Sequence, residues 1–126
     1  SDEFESGYYF TKFPGGGLEF GEGLIEGLQR EFIEECNADV EVVNHFYTTD
    51  FYEKSSFNDS QVISIYYLVK PVKPLQLNFK SKPFDFDEGL NQGFRWKKIK
   101  ELTEEDVTFR TDKTVVNLLI SVANEK

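Results

Sequence analysis

A single cysteine, Cys36, stands in 126 residues. No intramolecular disulfide can form, and a reduced, cytoplasmic setting is the simplest expectation. No apolar run approaches the roughly 18 residues that a membrane helix requires. No charged-then-apolar signal sequence opens the chain as given. Cations are scarce too: 14 Lys and Arg face 23 Asp and Glu, a formal net charge of -9. That excess argues against nucleic acid as the partner, because phosphate backbones are gripped by Lys and Arg. It leaves a small phosphorylated ligand open, since bound metal inverts a local field. Repeats, low-complexity tracts and a dividing linker are all missing, so one domain over 1–126 is expected.

Aromatic residues are what the chain has in quantity, and its 13 Phe and 6 Tyr can furnish a core. Tyr8 to Phe13 reads as a short strand that Pro14-Gly15-Gly16-Gly17 breaks. A helix fits Gly23 to Cys36. Val40 to Glu53 reads as a strand bent near Thr48, and Lys54 to Ser60 as a polar loop. Gln61 to Lys70 is apolar on both faces, which predicts a central strand covered on both sides. Leu75 to Phe79 suits a short edge strand, Lys80 to Gln92 an acidic loop, and Phe94 to Ile99 a further strand. Thr103 caps a short turn with Asp106. A last helix starts near Thr111 or Asp112, with Val115, Leu118, Leu119 and Val122 as its core stripe. The elements predict an α+β chain, a mixed sheet sandwiched between helices.

The informative segment runs from Gly16 to Ala38. Glu31, Glu34 and Glu35 are spaced i, i+3, i+4. At about 100° per residue they share roughly a third of the helix circumference. Like charges so placed repel, so something positive should offset them; Arg30 would help, and a divalent cation would do more. Carboxylate oxygens are the ligands that Mg2+ and Mn2+ select. Gly27 lies on the same arc and leaves it uncovered, so a loop or ligand can approach closely. It costs about 1 kcal/mol of helix propensity against Ala, which asks for a reason. Leu24, Ile25, Leu28, Phe32 and Cys36 form the neighbouring arc and should face the core. Glu22 lies near the helix start, where the dipole favours a carboxylate. On their own, three helix glutamates mostly mark a solvated face and a glycine run mostly marks a turn. The joint spacing changes the reading.

That spacing resembles the Nudix family, whose signature is G-x5-E-x7-R-E-U-x-E-E-x-G-U with U bulky and apolar. Here Gly16 is followed by five residues and Glu22, then by seven residues and the run Arg30-Glu31-Phe32-Ile33-Glu34-Glu35-Cys36-Asn37-Ala38. Every charged position is filled. Asn37 replaces the family's Gly, a mild change if the position is a left-handed helix cap, where Asn is second best. Ala38 is smaller than the usual aliphatic. The signature covers 23 of the 126 residues. Gly93 to Ile99 with Glu101-Leu102 is similar to the late strand and turn that close these domains. A Nudix sandwich also carries strand material ahead of the glycine turn. Only about a dozen residues precede it here, so an N-terminal strand is expected to be missing from the given chain, whether removed, disordered or supplied by another copy.

The resemblance implies a Mg2+- or Mn2+-dependent hydrolase that directs water onto a diphosphate in a nucleoside diphosphate linked to X. It implies Glu34 and Glu35 as principal metal ligands, Glu31 as third ligand or base, and Gly15 as a carbonyl ligand. Arg30 orients the glutamates, and Glu22 is an accessory acid. Glu88 is the first choice for a further acid from the late loop, ahead of Asp87 and Asp85. The substrate is not named by the signature: a nucleotide sugar, an ADP-ribose-like molecule and an aberrant nucleoside triphosphate all stay open. The Pro that some ADP-ribose-cleaving members carry downstream is not here, where Glu53 stands. Base recognition would draw on aromatics such as Phe4, Tyr8, Tyr9, Phe46, Tyr47, Phe51 or Tyr52. Two other readings compete. One is a non-catalytic nucleotide-binding module, against which every signature glutamate is retained. The other is an isoprenoid diphosphate isomerase, whose chemistry draws on acids and a Cys outside this helix. His45 is a lone strand histidine. A homodimer is possible if a missing strand exposes an edge.

Overall fold

The computed structural model describes residues 1–125. Its packing falls into two units, each built from non-adjacent stretches of chain. The first comprises Ser1–Phe13, Phe51–Val62 and the chain from Asn78 onward. Its strands β1 (Asp2–Glu5) and β2 (Tyr8–Thr11) form an antiparallel hairpin. Ser6 and Gly7 turn it, both at positive φ (51° and 85°), the backbone that a two-residue hairpin loop needs. A two-residue strand β5 (Gln92–Gly93) pairs antiparallel with β1 and completes the order β2-β1-β5. The residues ahead of the glycine turn thus carry two strands, where the sequence suggested one.

Aromatic packing fills this unit. Phe10 is buried, with the Phe57 and Phe109 rings 5.4 and 5.3 Å away. The last helix, α2 (Arg110–Asn124), buries Thr111, Asp112, Val115 and Val116. Its covered face is therefore rotated from the expected stripe: Val115 holds, while Val122 is 45% exposed. Thr103 and Asp106 form the expected capping box around the short 3-10 turn Glu104–Asp106. Asp2 is only 2% exposed. Arg95 donates to it twice, from Nε at 2.6 Å and Nη2 at 2.9 Å, and Thr11 Oγ1 donates a third bond at 2.6 Å. This use of Arg95 explains why Phe94 to Ile99 is not the expected strand. The segment leaves β5 at once, is held by Lys80 N–H on the Phe94 carbonyl, and ends in a 3-10 turn at Ile99–Glu101.

The second unit, Pro14–Asp50 and Ile63–Leu77, holds helix α1 (Leu24–Cys36) and strands β3 (Val40–Thr48) and β4 (Ile65–Pro71). The strands pair antiparallel, with register shifts at Val42/Asn44 and His45/Tyr47. Those shifts supply the irregularity that the sequence placed at Thr48, where the strand instead ends. The expected central strand over Gln61–Lys70 is shorter and less covered. Val62 N–H is drawn to the Glu53 carbonyl and Ser64 N–H to Thr49 Oγ1, so pairing begins only at Ile65. Ile63 stays 67% and Leu68 41% exposed. Leu75 to Phe79 forms no strand, since the prolines at 71 and 74 remove ladder donors just before it. All strand pairings among the described residues are antiparallel rather than mixed, within the expected α+β class.

Helix α1 carries the signature glutamates. Gly23 caps its start, where the Glu26 carboxylate reaches back to the Gly23 N–H at 3.2 Å. Asn37 ends it at φ 49°, ψ 42°, with its N–H on the Ile33 carbonyl and Ala38 N–H on that of Phe32. The left-handed cap expected of Asn37 is in place. Phe32 and Cys36 are buried, Leu28 is half-buried, and Leu24 and Ile25 remain exposed. The helix therefore buries only the far part of the arc expected to face the core. Gln29 ties it to β3 by donating to the Val40 carbonyl at 3.2 Å.

Candidate active site

The glycine turn, the following loop and helix α1 meet at one side chain, Arg30. Its guanidinium has five N–H groups in a fixed planar fork, and five hydrogen bonds leave it. Nε and Nη2 grip both oxygens of Glu22, at 2.9 and 2.7 Å. Nη2 also reaches the Gly17 carbonyl at 3.0 Å. Nη1 donates to Glu31 at 3.0 Å and to Glu34 at 3.1 Å. Glu19 adds a longer ion pair at 3.6 Å. Four carboxylates thus share one guanidinium, and the repulsion expected along the helix is offset only in part.

Two glycines make room for this arrangement. A side chain on Gly16 would run into the Glu31 carboxylate. A Cβ on Gly27 would lie 2.9 Å from Glu22 Oε1 and 3.0 Å from a Leu18 methyl. The reason that Gly27 asks for is therefore close approach: the loop residues Leu18 and Glu22 lie on the bare face of the helix. Gly15 sits at φ 149°, a conformation that favours glycine. We expect Gly27→Ala to melt close to wild type, because about 1 kcal/mol of gained helix propensity offsets the crowding. Its displaced Glu22 should lower turnover by roughly tenfold, in the way small misplacements at reacting centres do. Melting curves and turnover on the same preparation check both halves.

Charge in the site is uneven. The Glu22 side chain is 14% exposed. Its hydrogen bonds from Arg30, then from the Glu19 backbone N–H, hold its carboxyl at about 2, well below the ordinary 4.5. Arg30 is correspondingly raised beyond its usual value, first by its bonds to Glu22. Glu31 is as shielded as Glu22, whereas Glu34 is 56% exposed. Glu35 lies half-buried next along the helix. Burial, and then the Glu35 charge, push the Cys36 thiol up, which makes it a poor nucleophile.

The structure thus gathers Glu22, Glu31, Glu34 and Arg30, and sequence reasoning missed Glu19 and the Gly17 carbonyl beside them. Glu19 has a legible signal in hindsight, three residues before Glu22 in the loop that the glycines fold back. Among the described residues, no group of three or more His, Cys, Asp and Glu stands ready to hold an ion; the carboxylates converge on the guanidinium. The donor set is nonetheless all hard oxygen, which suits a divalent cation in kind. Glu88 lies in the other unit, exposed in a turn whose Leu90 N–H bonds the Asp87 carbonyl. Asp87 is engaged by Lys80 at 2.6 Å and by Asn78, which disfavours it as a free acid. His45 meets Thr48 Oγ1 at 2.8 Å. Of the aromatic candidates, Phe4 and Tyr9 pack at 4.6 Å, Phe51 lies under Arg110, and Tyr8 and Tyr52 are exposed.

The NUDIX domain family model matches residues 2–118. The chain belongs to the Nudix family. The match runs far beyond the signature and takes in elements of both units. No curated protein matches the chain significantly, so the assignment rests on the family model and on the site just described. Nudix membership supports hydrolysis of nucleoside diphosphates linked to a further group, with a small nucleotide as substrate and a divalent metal as the general requirement. Among the described residues, no helix is long and apolar enough to cross a membrane.

Proposed function

We propose that this Nudix protein is a pyrophosphohydrolase that splits a diphosphate linkage with Mg2+ or Mn2+, on a nucleotide sugar, an ADP-ribose-like molecule or an aberrant nucleoside triphosphate. The observation that carries the reading is the convergence of the signature carboxylates on Arg30 against the glycine turn. Glu31, Glu34 and Glu35, with the Gly15 carbonyl, would hold the cation. When bound there, it acts as a Lewis acid and makes water a better nucleophile at neutral pH.

The protein's own groups account for the rest. Glu31 is better shielded than Glu34, 14% against 56% exposed, and lies against Gly16; it serves as the third ligand or as the base for an attacking water. Arg30 sets the direction of Glu31 and Glu34 through charge-assisted bonds. Glu22 holds Arg30 in turn. A cytoplasmic setting and a homodimer belong to the same reading.

The test is a panel of nucleotides, with and without Mg2+, read for release of phosphate, nucleoside monophosphate or pyrophosphate. Turnover that needs the metal is expected for at least one compound. Ligand binding without turnover of any of them would instead favour the non-catalytic binding module.

A further inference from the structure

We propose that Arg30 exchanges Glu31 and Glu34 for a divalent cation while keeping its grip on Glu22 and Gly17. The idea rests on the metal-dependent reading above and adds the route by which the helix acids become available.

The two edges of the guanidinium are built differently. On one edge, Nε and Nη2 form a two-pronged pair with Glu22, and Nη2 also holds the Gly17 carbonyl. The Glu22 carboxylate accepts a third bond from the Glu19 N–H at 2.8 Å and lies over Gly27. Dislodging this edge breaks a bidentate pair and frees the loop from the helix. On the other edge, Nη1 alone serves Glu31 and Glu34, with one bond to one oxygen of each, and faces Glu19 across a longer 3.6 Å. Glu34 is 56% exposed, so water is at hand to replace its bond.

A divalent cation carries twice the charge of a guanidinium. It also binds carboxylate oxygen at about 2.0–2.1 Å for Mg2+, closer than the 3.0 and 3.1 Å of the Nη1 bonds. Competition for Glu31 and Glu34 therefore favours the cation, and competition for Glu22 does not. Arg30 is a positioning residue on this account. Its Nη1 keeps two like charges together on the helix before the ion arrives, and its other edge keeps the glycine turn pinned afterwards. Glu22 is its anchor rather than a ligand.

Arginine side-chain NMR of the intact chain, titrated with Mg2+, tests the exchange. The protein has three arginines, Arg30, Arg95 and Arg110, and Arg30→Lys assigns the signal. The expected result is a shift of the Arg30 Nη1 hydrogens, with faster exchange, while the Nε–H signal keeps its metal-free position. In Glu22→Gln both edges should shift, which shows that the still edge owes its stillness to Glu22. If calorimetry records Mg2+ uptake while the two edges move together, or while neither moves, the exchange is wrong and the metal-dependent reading survives. If neither Mg2+ nor Mn2+ is taken up, both fall.

Discussion

Glu35→Gln lowers turnover at least a hundredfold and leaves the chain folded. The substitution keeps the shape of the side chain and removes its charge. A hundredfold loss corresponds to about 2.7 kcal/mol of transition-state stabilisation, modest for the removal of one anionic ligand from a site that must offset the charge of a diphosphate. Folding should tolerate the change because Glu35 shares α1 with Glu31 and Glu34, and relief of like charge helps the helix by a few tenths of a kcal/mol. Turnover and a thermal melt on one preparation decide it. Near-normal turnover with an unchanged melt would remove Glu35 from the reaction and, with it, the set of roles assigned to this helix.

Arg95→Met produces the largest expected loss of stability. Asp2 is 2% exposed, and Arg95 provides its only positive partner in direct contact among the described side chains. Removing one member of a buried pair leaves an uncompensated charge and costs about 3–5 kcal/mol. That is a large share of the 5–15 kcal/mol typical of a whole domain. Burial alone would raise the Asp2 carboxyl, but the bonds from Arg95 and Thr11 outweigh it and hold it below its ordinary 3.8. A depressed carboxyl stabilises the folded state above that ordinary value and loses its contribution as the pH falls through the depressed one. The gap between wild type and Arg95→Met should therefore be widest near neutrality and narrow below about pH 3.8. Urea melts at pH 7 and pH 3 measure it. A gap that is constant with pH would mean that Arg95 matters by packing alone.

The site was far more legible than the fold around it. Glu22, Arg30, Glu31 and Glu34 lie close in sequence, and helix periodicity alone puts the last three on adjoining positions. Asn37 could be read for the same reason, because a cap is a local conformational demand. Gly27 gave a correct question, and its answer, the Glu22 and Leu18 side chains, also comes from nearby. Asp2 and Arg95 are 93 positions apart, and no local pattern announces such a partner. The strand readings failed where hydrogen bonds were claimed elsewhere: Val62 by Glu53, Ser64 by Thr49, and Lys80 by Phe94. Residues 61 to 64 and 94 to 99 have strand-like composition, and composition cannot tell a ladder bond from a loop bond.

The interleaving of the two units sets an order for synthesis. Everything that Arg30 grips, and the hairpin of β3 with β4, has left the ribosome by Leu77. Asp2 must still wait for Arg95, and Phe10 for Phe109. The β1–β2 hairpin, with a charge and a phenyl ring destined for burial, therefore stays unfinished until Arg95 and Phe109 have been made. Such a segment is prone to wrong partners until α2 arrives.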